Sequence, residues 1–411
     1  MRFRKNLKVY LIDNALQNYV GHDFHYADSL YRYAVKHNIE FRVLGHKNVS
    51  PLITHVLPVE PIFRHEFHTL FYSKIPRGVL YLDFLRANFE FYRDLNTALR
   101  GKTNRDCVLF APMVDHRQML AWAWWLRSRP PECSPTVVLM FRFSYFHIKR
   151  NTFLSRPEIL AKLGFKALEK TATRHRIRIV TDSERLADEY RGMTKLPLEI
   201  FPIPHTENIS QIKEPNAGIS PKGNLRFVFL GDAREEKGFP LLVSAINSLI
   251  KQNKMQGIKF IIQCHIGSHH HAPMLRFRRL LEKTEPAGVQ VLKDFLEIEA
   301  YYRLLRSADI VVLPYSGKKY YARTSGPMAE AFAAGKPVIV TDNTWMSEQL
   351  RRFGSGVTFP DGSVAGLSRA IRETCDRYPE LSARAQANRS AWIEFHNPGV
   401  FFRMLLPDKA F

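Results

Sequence analysis

The chain has 411 residues, 45% hydrophobic and 12% aromatic, with 60 Lys+Arg against 39 Asp+Glu and a net charge of +21. That length exceeds what one core serves and suits two domains of about 200 residues each. Four scattered cysteines without a CxxC pair exclude a disulfide framework, no apolar run reaches the ~18 residues of a membrane-crossing helix, and the N-terminus MRFRKNLKVYLID lacks a secretory cleavage site.

Leu7–Ile12 reads as a first buried strand, Asp13–Gly21 as a loop, Asp23–Lys36 as an amphipathic helix and Ile39–Leu44 as a second strand. This is a Rossmann-type opening in which a single glycine, Gly21, stands where a dinucleotide fingerprint has three. Between His68 and Asn96 the chain is rich in aromatic residues, which suit a core or a wall facing sugar or lipid. Further strands are expected at Cys107–Phe110, Thr136–Met140, Ile177–Thr181 and Leu198–Pro202, with helices between them. Residues 1–200 carry +13 of the net charge and the remainder +8. Lys149–Arg178 holds nine cations against Glu158 and Glu169, and Lys162, Lys166, Lys170 and Arg174 recur every four residues, on one helical face. Such a stripe suits anionic lipid headgroups, at roughly 1 kcal/mol per basic residue. It suits a solvated helix face equally well, whereas no nucleic-acid module accompanies it.

Ile203–Asn224, with Pro204, Pro215 and Pro221 and little periodicity, reads as the boundary between domains. The second half opens on a buried strand, Arg226–Gly231, followed by Asp232, Arg234, Lys237, Gly238 and the amphipathic helix Pro240–Gln252. Cations at the carboxyl end of a strand suit a diphosphate without metal, or else they pair with Glu235 and Glu236 in a solvated turn. Strand and helix patterns then alternate through Ile258–Cys264, Pro273–Glu282, Val289–Leu292 and Glu297–Arg306. His269–His271, near Cys264 and His265, read as a solvated loop in preference to a metal site.

Ala308–Asp342 is the most informative stretch. Ile310–Leu313 is a short apolar run suited to a parallel strand covered on both faces. After the loop Pro314–Arg323, Thr324, Ser325, Gly326 and Pro327 make a helix start, whose amides over Ser325–Met328 attract a phosphate. Glu330, about one turn further on, suits the two hydroxyls of a ribose. Gly335 ends the helix, and Lys336–Pro337 leads into the strand Val338–Val340. An ordinary α/β crossover with a surface glutamate fits the same local pattern.

Three segments, FLGDAREEKGF (229–239), LEIEAYYRLLRSADIVVLPY (296–315) and TSGPMAEAFAAGKPVIVTD (324–342), stand in the order and spacing of a known family. In them the chain resembles the retaining glycosyltransferases of family 4, closely in its C-terminal half and loosely before it. The resemblance implies an α/β, GT-B fold of two Rossmann-like domains facing each other across a cleft. An acceptor-binding domain would span 1–205 and a donor-binding domain 206–395, with residues 396–411 crossing back to the first. It implies a metal-independent, cofactor-free hexosyl-type transfer from a nucleoside-diphosphate sugar to a glycan or lipid-linked acceptor, with retention. A cytoplasmic enzyme is expected, peripheral to the inner face of the plasma membrane if Lys149–Arg178 binds anionic lipid, with no nucleic-acid partner.

Carried over residue by residue, the resemblance assigns the diphosphate to Arg234, Lys237, Gly238 and the backbone of Thr324, Ser325, Gly326, Pro327 and Met328. Glu330 takes the ribose, Asp294, Phe295 and Leu296 flank the base, Gly21 approaches the donor phosphate, and His116 contacts sugar or acts in catalysis. Two departures stand out. The family's first glutamate, which contacts the donor sugar, falls at Ala322, beside Tyr321 and Arg323; its phosphate-binding arginine position holds Asp232, with Arg234 two residues later. A catalytically silent GT-B protein that binds a nucleotide sugar or glycan is the alternative that Ala322 keeps open.

Overall fold

The computed structural model describes residues 7–18, 22–66, 77–145, 157–204, 223–266 and 271–406. Gly21, His269, His270 and most of the boundary segment lie outside the described residues. Two compact units result, one of Met1–His205 with Pro398–Phe411, the other of Thr206–Asn397.

Unit 1 alternates strand and helix: β1 Lys8–Ile12, α1 His22–Lys36, β2 Glu40–His46, α2 Pro51–Val56, β3 Val59–Phe63, α3 Arg77–Ala98, β4 Cys107–Ala111, α4 His116–Arg127, β5 Thr136–Met140, α5 Pro157–Ala172, β6 Ile177–Thr181, α6 Glu184–Arg191 and β7 Leu198–Ile200. The strands form one parallel sheet in the order β3-β2-β1-β4-β5-β6-β7. Every residue of β4 and β5 is buried, as expected of parallel strands covered on both faces. β1 pairs with both β2 and β4, so the chain changes direction across the sheet between them.

Unit 2 repeats the pattern with β8 Leu225–Phe229, α7 Phe239–Lys251, β9 Ile258–Gln263, α8 His271–Glu282, β10 Val289–Leu292, α9 Ile298–Ser307, β11 Ile310–Leu313, α10 Gly317–Tyr320, α11 Gly326–Ala333, β12 Val338–Thr341, α12 Trp345–Phe353, β13 Gly356–Phe359, α13 Val364–Asp376 and α14 Tyr378–Phe395. Its parallel sheet runs β10-β9-β8-β11-β12-β13, and here the order reverses between β8 and β11. In open α/β sheets such a reversal opens a crevice at the carboxyl ends of the two strands.

The final helix, α15 Pro398–Leu405, belongs to unit 1. Phe401 packs edge-on against Tyr26 of α1 (centroids 5.7 Å), Phe110 of β4 (5.3 Å) and Phe201 after β7 (5.3 Å). The Arg178 guanidinium donates to the Leu405 carbonyl at 3.1 Å.

Several details differ from the sequence reading, among them α2 and β3, which it did not contain. The loop after β11 contains a helical turn, α10, and residues 345–359 add a helix and a strand that the pattern did not show. α12 is easily overlooked because its start depends on the reciprocal hydrogen bonds of Thr344 and Ser347, a capping box without the usual Glu or Gln.

Candidate active site in unit 2

The loops leaving β8 and β11 are bound to each other, back to back. Gly238 adopts φ +68° and approaches so closely that a Cβ there would lie 1.8 Å from the Pro314 carbonyl oxygen. The Ser316 amide donates to the Glu236 carbonyl at 2.9 Å. Only glycine meets both demands at position 238, and the outcome is that the loop bearing Lys237 is tied to the loop that leaves β11.

Lys237 is 7% exposed. Its ammonium lies over Gly231, where a Cβ would sit 2.7 Å from Nζ. Burial pushes its pKa down to about 8, against the upward pull of Asp232. Beside it, Asp232 accepts from Arg234 Nη2 (2.5 Å) and from Arg234 Nε (3.1 Å), and lies 3.4 Å from His265 Nδ1. Burial alone would raise the Asp232 carboxyl, but Lys237 and Arg234 together hold it below its usual value. Arg234 reaches Glu236 at 3.7 Å, and Arg323 reaches the same carboxylate at 3.5 Å with its guanidinium 5.2 Å over the Tyr320 ring. Both readings of Arg234 and Lys237 thus meet in one place. Arg234 pairs with acids of its own loop, whereas Lys237 is held inward with its charge only partly matched.

The start of α11 is as the sequence indicates. Ser325 is the N-cap and accepts from the Met328 amide at 3.3 Å, and Pro327 occupies the first turn. Glu330 is not the surface glutamate of the plainer reading: it is 2% exposed. Its carboxylate accepts from the Tyr301 hydroxyl of α9 at 2.5 Å. Burial raises its pKa to about 8, with hydrogen bonds from Tyr301 and Tyr302 acting in the opposite direction. Tyr301 was not foreseen, and its only signal was a tyrosine pair on a helix whose neighbour in space is far away in sequence.

Of the residues assigned to the base, Phe295 packs edge-on against His265 (6.1 Å), which links it to Asp232, and Asp294 is exposed. Ala322 is 1% exposed, so a methyl group fills the place of the family's first glutamate. His116 is buried. It opens α4 in unit 1 with its ring between those of Phe84 (6.0 Å) and Tyr145 (5.8 Å), and burial pushes its pKa down to about 4. That ring is a neutral member of the core, enclosed because the Asp115 cap and its pair with Arg117 anchor the helix start within the fold.

Residues 224–377 match the sequence profile of the family described as glycosyl transferases group 1. Unit 2 carries a group 1 glycosyltransferase domain. No curated protein sequence matches the chain. Among solved structures, sucrose-phosphate synthase from Thermosynechococcus elongatus aligns with a TM-score of 0.67 at 13% identity over 97% of each chain. A glycosyltransferase from Rickettsia africae gives 0.66 at 12%, covering 98% of this chain and 97% of that one. HepE of Anabaena, in complex with UDP, gives 0.65 at 12% over 97% and 98%. At such identities the likeness is one of architecture, and the architecture is GT-B. In unit 2 Lys237 follows β8, while Ser325 and Glu330 follow β11, the other strand of the reversal, and among the described residues no group of three or more potential metal ligands is gathered.

Proposed function

We propose that the protein transfers a hexosyl group from a nucleoside-diphosphate sugar to a glycan or lipid-linked acceptor, with retention of anomeric configuration and without a metal ion. The observation that carries this reading is the tie between the loop that bears Lys237 and the loop that leads from β11 towards α11, the helix that carries Ser325 at its cap and Glu330 within it. A diphosphate there receives a buried cation and a helix N-terminus together, two contacts that attract the same charge. The ribose hydroxyls donate to Glu330, and Phe295 flanks the base. As the bond between the anomeric carbon and the diphosphate breaks, Lys237 and Arg234 neutralise the oxygen that leaves. That oxygen takes the proton of the acceptor hydroxyl as the new bond forms on the same face. A structural neighbour supports the donor class, since HepE is also known with UDP-glucose.

A second reading, a binding protein without turnover, is favoured by one observation, the methyl group of Ala322 where a donor-contacting carboxylate is expected. Incubation with radiolabelled UDP-, GDP- and ADP-sugars separates the two. Slow release of free sugar from one donor supports the transferase, whereas tight binding of a donor with no release supports the binder. Absence of binding by every donor overturns both.

A further inference from the structure

We propose that the outer face of α3, α4 and α5 in unit 1 docks the protein on an anionic lipid bilayer. The sequence pointed to the cations of residues 149–178; the fold adds an apolar surface beside Lys162, Lys166 and Lys170. Eleven large hydrophobic side chains are exposed among the described residues, and five of them, Tyr81, Leu82, Leu85, Phe89 and Leu163, lie on α3 and α5. Leu82 is 69% exposed, Leu85 50% and Phe89 58%.

Tyr81, Leu85 and Phe89 are four residues apart, a single ridge along α3, with Leu82 beside it. That ridge lies on the side of α3 towards α4, because Tyr92, on the same flank, packs edge-on against Trp124 of α4 at 6.3 Å. α5 borders α4 on its other side, where Arg127 donates to the Ala167 carbonyl (3.0 Å) and to the Thr171 hydroxyl (2.9 Å). Phe84, Leu160 and Leu120 close the seam between the three helices. On α5 this flank carries Leu163, one turn before Ala167. The α3 ridge, the outer edge of α4 and Leu163 therefore form one continuous apolar strip.

On α5 the exposed charge beside it is positive. Lys162, Lys166 and Lys170 stand exposed along α5, next to Leu163. Both acids of that helix are engaged elsewhere: Glu158 is buried, and Glu169 accepts from the Thr194 hydroxyl and the Lys195 amide, each at 2.7 Å. Arg86 and Arg93 are exposed on the far side of the α3 ridge, Arg86 paired with Glu90. Large apolar side chains bordered by lysines match a surface whose headgroups are anionic and whose acyl region begins just beneath. A protein partner with an acidic rim or a second copy of this chain would bury the same strip, and the test separates them.

Vesicle flotation of the full chain reads the outcome and needs no nucleotide, so it is independent of the donor reading. The wild type should float with vesicles of phosphatidylcholine mixed with phosphatidylglycerol and far less with phosphatidylcholine alone. Lys162→Glu/Lys166→Glu/Lys170→Glu should lower the vesicle affinity on the order of a hundredfold, at roughly fivefold per lysine. Leu85→Glu/Phe89→Glu should lower it by about tenfold or more. Both variants alter exposed side chains, and an unchanged melting temperature confirms an intact fold. The proposal is overturned if the wild type does not float, or if either variant floats as the wild type does. A wild-type dimer that Leu85→Glu/Phe89→Glu converts to a monomer, without vesicle binding, overturns it in favour of an interface between copies.

Discussion

Both units are parallel sheets with one reversal of strand order, yet the two reversals are chemically opposite. At β8/β11 Lys237 is a buried cation on the loop that follows β8, and the N-terminus of α11 follows β11. At β1/β4 the polar groups satisfy one another. Asp13 accepts from the Ala15 amide at 3.0 Å, Asn14 accepts from Gln118 of α4 at 2.9 Å, and Asp115 holds Arg117. Burial, with the nearby Asp23 carboxylate, raises Asp13 to about 8. The fold supplies a reversal of strand order twice, and among the described residues the side chains around the two are chemically different.

Lys237→Met tests that difference most severely. Removing a buried cation that bonds a charged ligand should weaken nucleoside-diphosphate binding about a hundredfold, by calorimetry, while the unliganded protein becomes more stable by about 1–2 kcal/mol. Equal loss of binding and stability would show that Lys237 holds the loop and not the ligand. Glu330→Gln comes next: affinity for a ribonucleoside diphosphate should fall about tenfold, and affinity for its 2′-deoxy counterpart should change little.

The pH responses of the two reversals also differ in sign. Lys237 sits at about 8, below its ordinary 10.5, so its contribution to stability is present above 10.5 and lost as pH falls through about 8. Bound diphosphate favours the charged form, so nucleotide affinity in the wild type should decline as pH rises through about 8. Asp13, raised from 3.8 to about 8, contributes stability that is full below 3.8 and lost as pH rises through about 8. Asp13→Asn should therefore flatten the fall in melting temperature between those limits, with nucleotide affinity unaltered; a drop in affinity would mean that the first reversal also senses the donor. The smallest effect is expected of Tyr301→Phe, a three- to fivefold loss of ribonucleotide affinity at about 1 kcal/mol for one hydrogen bond.

Much of this was legible in the chain. Apolar runs closed by Gly or Pro marked the parallel strands, and Thr324–Pro327 announced the start of α11 because capping depends on neighbours in sequence. What stayed hidden depends on neighbours in space. Tyr301 reaches Glu330 across 29 residues, and the enclosure of His116 by Phe84 and Tyr145 comes from packing between separate elements. The ridge on α3 was hidden differently. An aromatic-rich run reads as core until the fold shows which of its faces is left uncovered.

The seating of α15 in unit 1 has a consequence for how the protein is made. Synthesis runs from the N-terminus, so the ribosome releases all of Thr206–Asn397 before Phe401 can reach Tyr26, Phe110 and Phe201. The unit begun first is thus completed last, and a nascent chain stopped at Asn397 would carry a finished unit 2 beside a first sheet with an open aromatic seam.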